Sequence, residues 1–199
     1  MDRMKIKIAF LLAALLLVLS TSTFACVGKT LVVGTTGTVQ QDLMAQMLSL
    51  LIMERTGTTV KIVKVDSNQA AHDALLKADL DMYVEYTGVG QVTILQKAAI
   101  ADAGQLYKAV KSTYNEELNL IWLKPLGFDE KSVAPAGVAA EAAPVVRKDT
   151  LKKFPALARL INKLGGRIDI AAIKKLETEA RASDSKKVAR EFLRQNRLI

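Results

Sequence analysis

The succession of short β-branched runs and helical stretches constrains this chain more than any other feature of it. Lys29 to Gly34, KTLVVG, has the residues of a buried strand and ends at a glycine. Thr35 to Thr38 form a turn. Val39 to Arg55 then place Val39, Leu43, Met47, Leu50 and Leu51 at helical spacing, and Met44, Leu48 and Ile52 widen the stripe, so this helix should be largely buried. Gly57 stops it. Thr59 to Val65, TVKIVKV, alternates as a second strand. Ser67 or Asn68 can cap the next helix, whose Ala71, Leu75 and Leu76 are expected to face inward. Asp79 to Tyr86 reads as a short third strand. Helices are expected over Gln91 to Ala99 and Ala103 to Glu117, and a fourth strand over Asn119 to Leu123, ended by Lys124-Pro125.

Strand, helix, strand, helix, strand predicts an α/β layer with a mostly parallel sheet flanked by helices. Ligands of such sheets sit beyond the carboxyl ends of the strands. Two loops belong there: GTTGT at 34–38 and EYTGVG at 85–90. Asp129 to Ala143 is poor in large apolar residues and reads as a linker, and Pro144 to Arg147 as one more strand. Three helical patterns follow: Leu151, Phe154, Leu157, Leu160, Ile161 and Leu164, closed by Gly165-Gly166; Ile170, Ile173 and Leu176; and Val188, Phe192 and Leu193.

The first 25 residues read as a secretion signal. Arg3, Lys5 and Lys7 precede an uninterrupted apolar run, Ile8 to Leu19, too short to span a bilayer. Thr23 and Ala25 suit a cut after Ala25. Cys26, the only cysteine, would then be the first mature residue, a placement that resembles a lipoprotein signal and predicts lipid on Cys26; a soluble periplasmic protein is the alternative. Charge is uneven. Residues 147–199 hold 15 Lys/Arg against 6 Asp/Glu, whereas residues 26–146 hold 10 against 13. The basic third suits solvated helix faces, an anionic membrane surface or an acidic partner. Export and the lack of an aromatic-plus-basic stacking motif argue against nucleic acid.

No Ser/His/Asp set, Cys/His pair, zinc spacing or catalytic carboxylate pair stands out, so neither an enzyme nor a cofactor or metal is expected. GTTGT lacks the lysine of a P-loop. Thr35, Thr36 and Thr38 precede a helix start, where free N–H groups favour an anion or Thr38 simply caps. Tyr83 and Tyr86 should face opposite sides of their strand, one in the core and one at the edge. Glu85 reads as a surface or hydrogen-bonded turn residue, Asp79 and Asp81 as turn and helix-end residues, Trp122 as core, and His72 as a packing or surface residue.

Several segments resemble one family in order. AAHDALLKADLDMYVEYTG is similar to the helix, strand and tyrosine motif of bacterial glycine betaine/choline-binding proteins; NLIWLKPLGF resembles the strand that follows, and APVVRKDTLKKFPALARLINKL and VAREFLRQNRLI the C-terminal segment. The resemblance implies a type II periplasmic-binding-protein-like α/β lobe and an extracytoplasmic subunit of an ABC importer for osmoprotectants, working with a membrane permease. That family has two lobes closing over a quaternary ammonium group held in a tyrosine cage. It assigns Tyr86 and Thr87, with Thr35, Thr36 and Gln41 opposite, to ligand binding. Val89 stands where the motif's last threonine is expected.

Where the family inserts its second lobe, between Phe128 and Pro144, this chain has only 15 residues, too few for a lobe. The implied organisation is a signal over 1–25, a lobe over 26–128, a linker over 129–143 in place of the second lobe, and a returning strand and helices of the same lobe over 144–199. One exposed cation–π contact contributes about 0.5–1 kcal/mol, against about 4 kcal/mol for millimolar affinity. Tight binding would therefore need a second wall from a homodimer or another subunit. The alternative is an interaction or sensing module derived from the lobe, with ligand binding lost.

Overall fold

The structure, a computed structural model, describes residues 30–199. The signal over 1–25 and Cys26 lie outside the described residues.

Four strands run in one direction and one against them. β1 (Leu31–Thr35) pairs in parallel with β2 (Val60–Lys64), from Leu31 opposite Val60 to Thr35 opposite Lys64, and with β3 (Met82–Tyr86) through Val33 and Met82. β5 (Ala142–Arg147) lies antiparallel between β3 and β4 (Leu120–Trp122), giving the order β2-β1-β3-β5-β4. β4 therefore points the same way as β1 to β3. Four of five strands share a direction, as a mostly parallel sheet requires, and the sheet is mixed because the chain re-enters it through β5.

Helix α1 (Val39–Thr56) starts at Thr38, whose hydroxyl accepts the Gln41 N–H, and ends at Gly57 in the left-handed region. Eleven of its 18 residues are buried, which explains the apolar stripe wrapping most of the helix. α1 shares one face of the sheet with α6 (Ile170–Ala182) and α7 (Ser185–Gln195). The other face is covered by α2 (Asn68–Leu76) and α3 (Ala103–Glu117). On that side His72, Tyr114 and Trp122 meet edge to face, with ring centres 5.4 and 5.3 Å apart. Met82, Val84 and Tyr86 of β3 enter the first core and Tyr83 the second, as alternation requires.

Four expectations need correction. Leu76 is 47% exposed, because α2 ends there and Leu75 takes the core position. The helix expected from Gln91 is one wide π-helical turn, Val89–Ile94, after which the backbone is irregular. It seats Gly90 so close to Trp122 that a Cβ would lie 2.8 Å from the indole. The first C-terminal pattern is two short helices, α4 (Lys148–Lys153) and α5 (Leu157–Ile161), with Pro155 between them. The stretch read as a linker becomes core towards its end: Ala140, Ala142 and Ala143 are fully buried, since small residues suit a strand flanked on both edges and covered on both faces.

Candidate functional site at the strand ends

Shared strand direction gathers the ends of β1, β3 and β4 at one edge. The loop after β1 satisfies its own polar groups. The Thr35 hydroxyl donates to Asp42 at 2.6 Å and accepts from the Gly37 N–H at 3.1 Å. Asp42 thus occupies the first turn of α1, where an outside carboxylate would otherwise be favoured. Thr36 is half-buried. Gln41 is buried and donates from Nε2 to the Val84 carbonyl at 3.2 Å, beyond the single Val33–Met82 pair of the β1–β3 ladder.

Tyr86 is 4% exposed, with its ring in the core under α1 and its phenol donating to Gln40 Oε1. Burial, with the Glu85 carboxylate adding to it, holds the phenol proton more firmly than usual. Gln40 passes the connection on, donating to Glu130 at 3.0 Å and Glu177 at 2.6 Å. Lys174 completes the group at 2.7 Å from Glu130 and 3.6 Å from Glu177. The hydrogen bond from Lys174, first, and that from Ser132 bring the Glu130 carboxyl down to about 2.

Glu85 is fully buried rather than at the surface. Its carboxylate accepts from Asn68 Nδ2 at 2.5 Å, the Tyr83 hydroxyl at 3.0 Å and the Tyr86 N–H at 2.7 Å. Desolvation outweighs these three bonds and raises its carboxyl to about 7.

Thr87 belongs to the join between β3 and the segment before β5. Its N–H donates to the Glu141 carbonyl at 3.0 Å, and its hydroxyl accepts from the Glu141 N–H at 3.1 Å. At Gly88 a Cβ would stand 2.6 Å from the Ala139 carbonyl and 2.8 Å from Ala134, so only glycine lets residues 134–139 lie against the turn. Residues 129–141 thus form a strap over the end of β3, pinned by Gln40 and Lys174 at Glu130. Beside the strap a hollow of about 390 Å³ is lined by Asp129, Lys131, Pro135 and Val138, with no aromatic ring among its lining residues.

The five sequence-predicted residues therefore share one edge of the sheet, but Thr35, Gln41, Tyr86 and Thr87 are buried and bonded within the fold. Sequence reasoning missed Gln40, Glu130, Glu177 and Lys174. The Gln40-Gln41 pair was the available signal: two amides in the first turn of an otherwise apolar helix.

Fold and site together define a type II periplasmic-binding-protein-like lobe. A family model described as the substrate binding domain of ABC-type glycine betaine transport systems matches residues 29–133 and 128–195, and the chain belongs to this family, one of binding proteins rather than enzymes. It is 31% identical over 127 residues to the carnitine transport binding protein OpuCC of Listeria monocytogenes, covering 63% of this chain and 38% of that protein. It is 32% identical over 129 residues to the glycine betaine-binding protein YehZ of Escherichia coli, covering 62% of this chain and 39% of that protein. The chain thus spans less than two fifths of the length of each of these relatives. A crystal structure of a glycine betaine/carnitine/choline ABC transporter protein shares the fold, with TM-score 0.79 at 16% identity over 85% of this chain and 98% of that one.

Proposed function

We propose that the chain is a one-lobe, extracytoplasmic substrate-binding protein for glycine betaine- or choline-type quaternary ammonium solutes. It would be exported by residues 1–25, held at the membrane through lipid on Cys26, and deliver its solute to an ABC permease. The observation that carries this reading is the convergence of Thr35, Thr36, Gln41, Tyr86 and Thr87 on the strand-end edge of a chain of this family. A trimethylammonium group donates no strong hydrogen bond, so it needs aromatic faces. One tyrosine supplies about 0.5–1 kcal/mol of that. The rest of the cage would come from a second copy or another subunit across the same edge.

A second reading is favoured by the burial of Tyr86. Its ring and hydroxyl are both engaged inside the lobe. That supports an interaction or sensing module in which ligand binding has been lost. Calorimetric titration with glycine betaine, choline and carnitine, alongside the mass in solution, separates the two. Saturable heat from a dimer or hetero-complex supports the transport reading. No heat at millimolar ligand supports the second.

A further inference from the structure

The end of the sheet opposite the candidate site has chemistry that solute binding does not use. β1 begins there at Leu31, which lines an apolar groove of about 230 Å³ with Ile52, Thr56, Lys153, Phe154 and Pro155. Lys152, Lys153, Pro155 and Ala156 are exposed beside it. α7 adjoins the same end: Arg190 pairs with Glu54 at 2.5 Å, and Arg55 donates to the Leu198 carbonyl at 2.7 Å. Met53, next to them in the last turn of α1, is 40% exposed.

Helical geometry sorts α7 into an apolar and a polar side, and the polar side is mostly basic, with Glu191 at its margin. At 3.6 residues per turn, Lys186, Lys187, Arg190 and Arg194 fall within an arc of about 100°. The buried Val188, Ala189, Phe192 and Leu193 take the other side. Lys186, Lys187, Arg194 and, just past the helix, Arg197 are exposed, and none makes an ion pair among the described residues.

We propose that this end is a docking surface for an anionic lipid bilayer. The cations match an anionic headgroup layer, and the half-buried Phe154 and exposed Pro155, next to Lys152 and Lys153, offer apolar groups to its boundary. A short acidic peptide would match the charges and leave those apolar groups unused.

The test is partitioning of the full-length chain onto vesicles of phosphatidylcholine with and without phosphatidylglycerol, at low and high salt. The N-terminal stretch, with its apolar run and Arg3, Lys5 and Lys7, is common to every variant, so the difference between wild type and variant reports the surface. Removing Lys186, Lys187 and Arg194 together as K186Q/K187Q/R194Q should weaken partitioning to the anionic vesicles by roughly 100-fold, at about fivefold per cation. Phe154→Ser should weaken it by roughly fivefold or more at either salt. Circular dichroism of each variant checks that it is folded. Equal partitioning of wild type to both vesicles, or of the triple variant and wild type to the anionic ones, overturns the proposal. So does wild type that ignores the vesicles but binds polyglutamate, which assigns the face to an acidic protein.

Discussion

The Tyr86 phenol donates to the side-chain oxygen of Gln40, so the tyrosine that ends β3 is bonded to the first turn of α1 instead of standing open at the sheet edge. The same amide reaches Glu130 and Glu177 through its nitrogen. One glutamine therefore joins the candidate ligand residue, the strap before β5 and the C-terminal helix α6. Any ligand that uses the Tyr86 ring must displace part of this set.

Tyr86→Phe keeps the ring and leaves Gln40 Oε1 without its donor. The expected cost is about 1–2 kcal/mol in urea unfolding. Tyr86→Ala also removes a packed ring and should cost about 3–5 kcal/mol. If the phenylalanine variant unfolds at the wild-type urea concentration, the Gln40 bond contributes nothing and the edge is looser than described.

The Glu85 carboxyl is raised to about 7 by burial, against an ordinary value near 4.5. The folded state then holds a proton that the unfolded state has released between about pH 4.5 and pH 7. Stability should fall as pH rises through that window and level off above it. Glu85→Gln should flatten the slope and be the more stable protein at pH 8, by about 2–3 kcal/mol relative to the difference at pH 4.5. Burial lowers the His72 pKa, so His72 works in the opposite sense below about pH 6.5, in both proteins alike. Unfolding free energies of both across pH 4.5–8 decide it; parallel curves would mean that Glu85 ionises normally.

Much of this fold was legible because periodicity reports burial. The wide stripe of α1, the alternation of β2, the Thr38, Ser67 and Gly57 punctuation and the opposite facing of Tyr83 and Tyr86 all follow from local rules. The misses share a cause in tertiary contact. Ala142 and Ala143 look like the end of a linker because they are small, and small residues suit β5, which lies between two strands. Glu85 looks like a turn residue until Asn68, Tyr83 and the Tyr86 N–H close round it. Gln40 and Glu130 are 90 positions apart, a distance no spacing rule spans.

The strap over β3 is held where Lys174 meets Glu130. Lys174→Met removes the cation that keeps the Glu130 carboxyl near 2. Lys174 is half exposed, so the pair should contribute no more than about 1 kcal/mol. The variant should keep its global stability to within that amount, while amide exchange over residues 129–141 quickens by roughly fivefold. Unchanged exchange there would show that the Gln40–Glu130 bond and the Thr87–Glu141 pairing hold the strap without Lys174.

Asp81 joins three elements at the other end of β3. Its carboxylate accepts from the Val32 N–H of β1 at 2.9 Å and from the Thr150 hydroxyl of α4 at 2.7 Å, while its carbonyl accepts from the Arg147 N–H at 3.1 Å. The first bond stands in for a ladder contact, since β1 and β3 share only the Val33–Met82 pair. Asp81→Ala leaves both a backbone donor and a buried hydroxyl unpaired, and should cost about 2–4 kcal/mol. Asp81→Asn retains one acceptor oxygen and should lose about half as much. Thr150→Val removes only the hydroxyl bond and should cost about 1 kcal/mol. Combined with Asp81→Ala it should add almost nothing, because the two changes share one bond. Full additivity in that double mutant would place the Asp81 contribution elsewhere.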